Sequence, residues 1–317
     1  MEWIERLLQG DHYAASKLIS MVENKSPLVP EIMKSIYPHT GKARTLGFTG
    51  PPGVGKSTLV DQIIYMACAK GLRVGVIAVD SSSPFTGGAL LGDRIRMRDY
   101  AENDDVFIRS MGTRGHLGGL SEASKGAKRI LDALGCDLIL VETVGVGQIE
   151  LDIVKEVDTV LVATMPSTGD YVQTMKAGIM EIADIFVVNK ADLPGADLTC
   201  LEIEKVLDMA VNPREWRPPV IQTVGTQGEG IREVWEAVKE HQAFLDEGGR
   251  REERRREQIR SEMADLVLKR LSQDFWSRWD EDPAFNELVK RVSLREMDHY
   301  AATELMVNKI KEAIKDA

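Results

Sequence analysis

The sequence predicts an α/β fold, with a mostly parallel sheet covered by helices on both faces and helical extensions at both ends. Three observations predict it. Between residues 45 and 245, short and nearly continuous apolar runs alternate with segments of helical periodicity, as in sheets buried on both faces. A glycine-rich phosphate-binding pattern separates the first apolar run from the helix after it. Polar residues end several runs, at the sheet edge where parallel strands gather ligands.

This interpretation divides the chain into three segments. Residues 1–44 are expected to form short helices, with Asp11 capping a helix that carries an apolar stripe. Residues 45–245 are the sheet domain. Its strands are predicted at 45–49, 74–79, 106–109, 138–141, 159–163, 185–188 and 220–224. Its helices are predicted at 59–69, 121–134, 171–182, 199–210 and 231–244.

Residues 246–317 are predicted to form a helical arm. The charged run R-R-E-E-R-R-R-E at 250–257 is typical of a solvated helix face, and apolar residues repeat at helical spacing after it. Ser293 and Glu296 have the spacing of a capping box that would open a last helix. The arm either packs on its own domain or serves as a dimer contact.

Composition excludes some classes of function. A net charge of −10 and a pI near 5.2 argue against a general binder of nucleic acid or anionic membranes. No apolar segment is long enough to span a bilayer, and the N-terminal stretch resembles neither a signal nor a transit peptide. The three cysteines lack metal-ligand spacing and are expected to be buried free thiols. We therefore expect a cytoplasmic protein.

The phosphate-binding pattern G-x-x-x-x-G-K-[ST] lies at residues 50–57. Glycines let the backbone curl so that successive N–H groups point at phosphate oxygens, and the next helix adds the positive end of its dipole. Lys56 is expected to reach the β- and γ-phosphates, Ser57 to bind Mg²⁺ and Thr58 to contact the α-phosphate. The predicted phosphate-binding residues are Gly50, Pro51, Pro52, Gly53, Val54, Gly55, Lys56, Ser57 and Thr58.

A second motif, N-K-A-D at residues 189–192, follows an apolar strand and is expected to select guanine over adenine. The Asp192 carboxylate can accept hydrogen bonds from N1–H and the 2-amino group of guanine, and adenine has no matching pair of donors. Lys190 is expected to lie along the base, and Asn189 to tie loops together. Backbone N–H groups near guanine O6 are expected from Val224, Gly225 and Thr226. The two motifs together predict a P-loop G domain with GTP as substrate.

Carboxylates at predicted strand ends indicate a magnesium site beside the loop. Asp80 and Glu142 each end a strand, and with the Ser57 hydroxyl they form the predicted ligand set for Mg²⁺. Asp93 is expected to join in one nucleotide state only. Gly145 is expected to let a backbone N–H approach the γ-phosphate and sense its loss.

Phosphoryl transfer depends on positioning and on neutralising charge more than on covalent help. Lys176, Arg94 and Arg98 are candidates for the added positive charge, with a solvated role as the alternative for each. The predicted catalytic set is Lys56, Asp80, Asp93, Glu142, Gly145 and Lys176.

Taken together, the motifs resemble those of the MeaB/ArgK/MMAA family, the GTPases that accompany methylmalonyl-CoA mutase. The matching stretches are G-P-P-G-V-G-K-S-T, A-V-D-S-S-S, T-G-G-A-L-L-G-D-R-I-R-M, M-G-T-R-G-H-L-G-G-L, L-I-L-V-E-T-V-G-V-G-Q-I-E and V-N-K-A-D. The resemblance covers residues 5–245 well, and D-H-Y-A-A-T-E-L near Tyr300 extends it into the tail. Two positions depart from the family pattern: Pro84 interrupts the first switch loop, and V-G-T at 224–226 replaces the usual S-A-x contact to guanine.

The resemblance implies a G domain of the SIMIBI class, slow intrinsic GTP hydrolysis and homodimerisation through the helical extensions. It also implies a partner, an adenosylcobalamin-dependent acyl-CoA mutase whose cofactor loading and protection the GTPase gates. The family's magnesium ligands map onto Ser57, Asp80 and Glu142, with Asp93 as the mobile one, and 166–176 matches its third switch. Three alternatives stay open: a metallochaperone-type GTPase, a kinase linked to amino-acid transport, and a nucleotide-dependent adaptor without enzyme activity.

Overall fold

The computed structural model describes residues 2–80, 103–112, 122–143, 152–166, 177–209 and 215–315. Within those residues, seven strands form one sheet in which every neighbouring pair is parallel. The strands are β1 (Arg44–Thr49), β2 (Val74–Asp80), β3 (Val106–Gly112), β4 (Leu138–Glu142), β5 (Thr159–Thr164), β6 (Ile185–Asn189) and β7 (Val220–Thr223). Their order across the sheet is β3-β2-β4-β1-β5-β6-β7. The predicted parallel sheet is confirmed.

Helices precede the sheet, alternate with its strands and follow it. The described α-helices are α1 (Glu2–Leu8), α2 (His12–Glu23), α3 (Val29–Ile36), α4 (Lys56–Cys68), α5 (Glu122–Leu134), α6 (Ala177–Ile182), α7 (Ala196–Asp208), α8 (Ile231–Asp246), α9 (Arg250–Trp279), α10 (Pro283–Ser293) and α11 (His299–Lys315). Short 3-10 helices lie at Tyr37–His39, Ile153–Lys155 and Glu247–Gly249.

The hydrophobic core lies on both faces of the sheet, because successive strand residues point to opposite sides. On β4, Leu138 and Leu140 pack in a cluster with residues of α4 and α8. Ile139 and Val141 pack in a second cluster with residues of α1, α2, α3 and α5. Burial on both faces explains why the strands are nearly continuous apolar runs.

The N-terminal helices join the second of these clusters. As predicted, Asp11 caps α2, and its carboxylate accepts hydrogen bonds from Tyr13 N at 2.7 Å and Ala14 N at 3.1 Å. After α3, the backbone is fixed by Asp132 of α5, whose carboxylate accepts from Ala43 N at 3.0 Å. The N-terminal extension therefore shares its core with the sheet.

The chain forms two compact units, Met1–Arg255 and Arg256–Ala317. The first unit ends inside the charged run at the start of α9. The prediction that this run is a solvated face is wrong for three of its arginines. Arg251 is only 6% exposed, and Arg251, Arg254 and Arg255 form ion pairs with carboxylates of the same unit.

Two buried aspartates are the partners of these three arginines. Asp158 precedes β5 and Asp184 precedes β6, and both are buried at the amino-end edge of the sheet. Arg251 Nη1 lies 3.2 Å from Asp158 Oδ2, and Arg254 Nη2 lies 3.1 Å from Asp184 Oδ2. Charge density along the run could not reveal these partners because they come from distant strands.

In the second unit, the predicted capping box is wrong. Ser293 is the last residue of α10, and its hydroxyl donates to the Lys290 carbonyl oxygen at 2.7 Å. The cap of α11 is Asp298, whose carboxylate accepts from Tyr300 N at 2.8 Å and Ala301 N at 3.0 Å. None of the helices in the described residues is long and apolar enough to cross a membrane.

Candidate nucleotide-binding site

The phosphate-binding loop lies between β1 and α4, at the carboxyl edge of the sheet. Two of its glycines are required by close contacts and by backbone conformation. Gly50 has a φ of 132°, and a Cβ there would lie 2.0 Å from the Ala163 carbonyl oxygen. Gly55 has a φ of 90°, and a Cβ there would lie 2.4 Å from Asn189 Nδ2. Only glycine satisfies both conditions at these positions.

Lys56 is folded back over this loop. The side chain is only 7% exposed, and its ammonium group donates hydrogen bonds to the Gly50 carbonyl oxygen at 2.8 Å and the Pro51 carbonyl oxygen at 2.9 Å. A lysine charge held in this position by the loop backbone suits an anion bound in the loop.

Ser57 and Glu142 lie in direct contact. The Ser57 hydroxyl donates a hydrogen bond to Glu142 Oε1. Glu142 ends β4, beside Phe48 of β1 and Ala78 of β2 in the register of the sheet. The structure thus brings two of the predicted magnesium ligands together, and a hydroxyl with a carboxylate is a donor set that fits Mg²⁺.

The other predicted catalytic residues are described only in part. Asp80 ends β2 at the same sheet edge, and its backbone alone is described. Asp93, Gly145 and Lys176 lie outside the described residues, as do Pro84 and the segment 167–176 of the predicted third switch.

Asn189 ties three segments of the site together. Its Nδ2 donates to the Val54 carbonyl oxygen at 2.8 Å. Its Oδ1 accepts from Thr223 Oγ1 at 3.0 Å and from Gly225 N at 3.0 Å. The side chain is 3% exposed, so the amide links the phosphate loop, the end of β6 and the end of β7 from inside the protein.

Lys190 gives a second link between these loops. Its ammonium group donates to the Gly53 carbonyl oxygen at 2.7 Å. Its backbone has a φ of 58°, a left-handed conformation that residues other than glycine rarely adopt. Ala191 N also donates to the Thr223 carbonyl oxygen at 3.0 Å. The loop after β6 is therefore held by the phosphate loop on one side and by the end of β7 on the other. The backbone strain that this arrangement requires lies at Lys190.

These loops surround one cavity of about 230 Å³. Its lining residues are Gly55, Thr58, Asn189, Lys190, Asp192, Leu193, Val224, Gly225 and Thr226. The predicted phosphate-binding and base-reading residues therefore meet around a common space. Because parallel strands place their carboxyl ends at one edge, motifs distant in sequence converge there.

Two residues of this site were not predicted from the sequence. Leu193 lines the cavity and is 44% exposed, and it directly follows the N-K-A-D motif. Thr223 is buried and donates to Asn189 Oδ1. The sequence carries no signal of this contact, because the predicted strand runs on to residue 224.

A phosphate-binding loop and an N-K-x-D loop around one cavity define the chain as a P-loop GTPase. The family model described as methylmalonyl Co-A mutase-associated GTPase MeaB matches residues 15–280, and the chain belongs to this family.

Known proteins agree with this assignment. A protein of Pyrococcus horikoshii named as a GTPase is 53% identical, with 98% of each chain covered. The mitochondrial methylmalonic aciduria type A homolog of Mus musculus is 32% identical over 85% of this chain and 69% of its own. The crystal structure of a LAO/AO transport system kinase has a TM-score of 0.78 and 25% identity, and covers 98% of this chain and 97% of its own.

Proposed function

We propose that the protein binds GTP with Mg²⁺, hydrolyses it slowly, and thereby gates adenosylcobalamin loading and protection of a B12-dependent acyl-CoA mutase. The observation that carries the nucleotide part of this proposal is the common cavity. It is lined by Gly55 and Thr58 from the phosphate loop and by Lys190 and Asp192 from the predicted base-reading loop. A guanine nucleotide is the ligand whose two ends match these two loops.

Base selection follows from the exposed Asp192 at the cavity wall. In this proposal its carboxylate accepts the N1–H and 2-amino hydrogens of guanine, and Lys190 lies along the ring. Asn189 acts through the backbone it holds, because its amide already binds Val54, Thr223 and Gly225. Val224, Gly225 and Thr226 offer backbone N–H groups toward guanine O6. ATP leaves Asp192 without its two donors and binds more weakly.

At the phosphate end, Lys56 leaves the loop carbonyl oxygens and pairs with the β- and γ-phosphates. With Mg²⁺ bound, Ser57 and Glu142 would contact the ion in place of each other, and Asp80 would be the third ligand. The ion supplies charge neutralisation at the phosphate oxygens. Gly145 senses the γ-phosphate, Asp93 responds to it, and Lys176 is a candidate for additional positive charge.

The partner part of the proposal is supported by the family description and by the name of the mouse relative. Homodimerisation is supported by the exposed apolar residues of α9. Met263, Leu268 and Leu271 are each more than 60% exposed, which is unusual for large apolar side chains on one helix. A second copy of the chain is the proposed occupant of this surface.

The nucleotide proposal is tested by measuring the affinities of GTP and ATP for the full-length protein with Mg²⁺. GTP should bind at least about 100-fold more tightly, because adenine lacks the donors that Asp192 accepts. Equal affinities for the two nucleotides would refute the proposed base recognition.

The partner proposal is tested by pull-down from native lysate with a non-hydrolysable GTP analogue, followed by identification of a cobalamin-dependent mutase in the captured fraction. A purified acyl-CoA mutase that neither binds the GTPase nor changes its GTP hydrolysis would contradict the gating role.

The crystal-structure neighbour named as a transport system kinase favours a second candidate function. A kinase would transfer the γ-phosphate of GTP to another protein, whereas a GTPase releases free phosphate. Measuring the fate of a labelled γ-phosphate, with and without candidate acceptor proteins, separates the two. Label recovered only as free phosphate excludes the kinase.

A further inference from the structure

A cleft of about 330 Å³ lies at the amino-end edge of the sheet, opposite the edge that carries the nucleotide cavity. It is formed around the first residues of β2 and β3 and the turn after α5. Polar groups and apolar side chains line it together: Arg73, His12, Asp104, Asp105, Phe107 and Leu134. Neither its position nor its residues belong to the proposed GTP site.

The backbone of Arg73 is fixed on both sides. Arg73 N donates to Asp137 Oδ2 at 2.9 Å, and the Arg73 carbonyl oxygen accepts from Asp137 N at 2.9 Å and Leu138 N at 3.1 Å. These bonds place the start of the side chain firmly at the rim of the cleft. Because the Arg73 backbone is already ordered, a ligand that binds the guanidinium does not bear the entropic cost of ordering it.

The guanidinium itself is available for a ligand. Among the described residues, its one ion pair joins Nε to Asp105 Oδ1 at 3.8 Å, which is too long for a hydrogen bond. It lies beside two left-handed glycines, Gly10 and Gly135, since a Cβ on either would lie 3.7 Å from Arg73 Nη1. A planar fork of donors in this setting suits a carboxylate.

The other residues that line the cleft indicate which class of carboxylate ligand fits it. Asp104 and Asp105 add two negative charges to the one positive charge of Arg73. A simple anion gains little there, whereas a ligand that also carries an ammonium group finds a partner for each charge. Phe107 and Leu134 supply an apolar wall, and the His12 ring meets the Phe107 ring edge-on at 5.5 Å.

We propose that this cleft binds a small zwitterion, an α-amino acid with an apolar side chain. Its carboxylate pairs with the Arg73 guanidinium, its ammonium group with Asp104 and Asp105, and its side chain packs on Phe107 and Leu134. The volume of the cleft is within the range of small-molecule sites.

Calorimetric titration of the full-length protein with three related probes tests the proposal. L-Leucine carries both charged groups, 4-methylpentanoate lacks the ammonium group, and 3-methylbutylamine lacks the carboxylate. Leucine should bind at least about tenfold more tightly than either analogue, because each analogue lacks one of the charge-assisted hydrogen bonds that leucine makes. Failure of leucine to bind at millimolar concentration, or an analogue that binds as well as leucine, overturns the proposal.

Variants locate the binding within the cleft. Arg73→Gln and Asp104→Asn should each weaken leucine binding about tenfold or more. Arg217→Gln is the matched control, because the Arg217 side chain is 59% exposed against 54% for Arg73 and pairs with Asp208 elsewhere. GTP affinity should be unchanged in all three, so the outcome is independent of the proposed function. Leucine affinity in Arg73→Gln equal to that of the wild type would refute the site.

Discussion

Gly50 lies so close to Ala163 that a Cβ on Gly50 would be 2.0 Å from the Ala163 carbonyl oxygen. The contact joins the first residue of the phosphate loop to β5, next to β1 in the sheet. Because the obstacle is backbone of a buried strand, it cannot move as the end of a flexible side chain would. This contact fixes where the phosphate loop begins.

Gly50→Ala is therefore expected to destabilise the protein by about 3 kcal/mol or more and to abolish nucleotide binding. Urea unfolding and GTP titration measure the two effects. Gly53→Ala is the matched control, since Gly53 also has a positive φ, 78°, but a Cβ there meets nothing within 4 Å. The control should lose only about 1 kcal/mol. Equal losses in the two variants would show that the contact with Ala163 is unimportant.

Asp192→Asn is expected to shift nucleotide preference from guanine to xanthine. The amide can donate to the additional carbonyl oxygen of xanthine, whereas it cannot accept both hydrogens of guanine. GTP affinity should fall roughly 100-fold or more, and xanthosine triphosphate should bind better than GTP. Competition binding with the two nucleotides measures the change.

Asp197→Asn provides the control for this variant. Asp197 lies in the first turn of α7 and binds Gln222 at 2.8 Å, but it is not among the residues that line the cavity. Its substitution should leave nucleotide preference unchanged. An unaltered preference in Asp192→Asn as well would contradict the base-reading role.

The parallel sheet and the meeting of the two nucleotide motifs were predictable from sequence for a physical reason. The motifs place Ser57 just after the loop that follows β1, and Asn189 at the end of β6. Parallel strands bring their carboxyl ends to one edge of the sheet, so the two residues lie at the same edge. The side-chain partners within that edge were less predictable. Thr223 bonds to Asn189 because β7 stops beside β6, and a strand-forming threonine gives no sign of that contact.

Predictions about the arm failed where tertiary partners decide the outcome. Three arginines at the start of α9 look solvated in sequence, but they form ion pairs with the buried Asp158 and Asp184, and Arg251 itself is buried. At α11, two capping residues compete, and the chain uses Asp298 instead of Ser293. Arg295 between them has a φ of 59°, so the segment is a turn rather than a first helical turn.

Arg251→Ala is expected to destabilise the protein strongly. Arg251 contacts the buried Asp158 at 3.2 Å, Asp246 Oδ1 at 2.6 Å and Gln242 Oε1 at 2.6 Å. Its removal leaves Asp158 with fewer partners in a buried position, which costs about 3–5 kcal/mol. Arg256→Ala removes the same charge from an exposed position of the same helix and should change stability by less than about 0.5 kcal/mol. Urea unfolding of both variants measures the difference.

The same ion pairs imply acid sensitivity. Burial alone would raise the pKa of Asp158, but Arg255 and Arg251 hold the pKa below its usual value. Stability from this group is present above the unfolded-state pKa and is lost as pH falls through the lower folded-state pKa. In Arg251→Ala this loss should begin at higher pH, which acid titration of the folded fraction can detect.

His241 is expected to make stability depend on pH in a milder range. Burial lowers the pKa of His241 from 6.5 to about 4, with Asp184 acting in the opposite direction and Arg254 and Arg251 adding to the decrease. Its ring contacts Thr159 Oγ1 at 2.9 Å, so the folded protein holds the imidazole neutral inside. Below pH 6.5 the unfolded chain therefore binds a proton that the folded chain does not bind until about pH 4.

The protein should become less stable as pH falls through this range, because the unfolded state binds a proton that the folded state does not. This group should remove about 2 kcal/mol of stability between about pH 7.5 and about pH 5. Urea unfolding of wild type and His241→Gln at the two pH values measures it, and the variant should lose that much less on acidification. His299→Gln, at the exposed start of α11, should retain the full wild-type loss. Identical pH dependence in wild type and His241→Gln would mean that His241 binds its proton at the same pH in the folded and unfolded chains, and would refute the prediction.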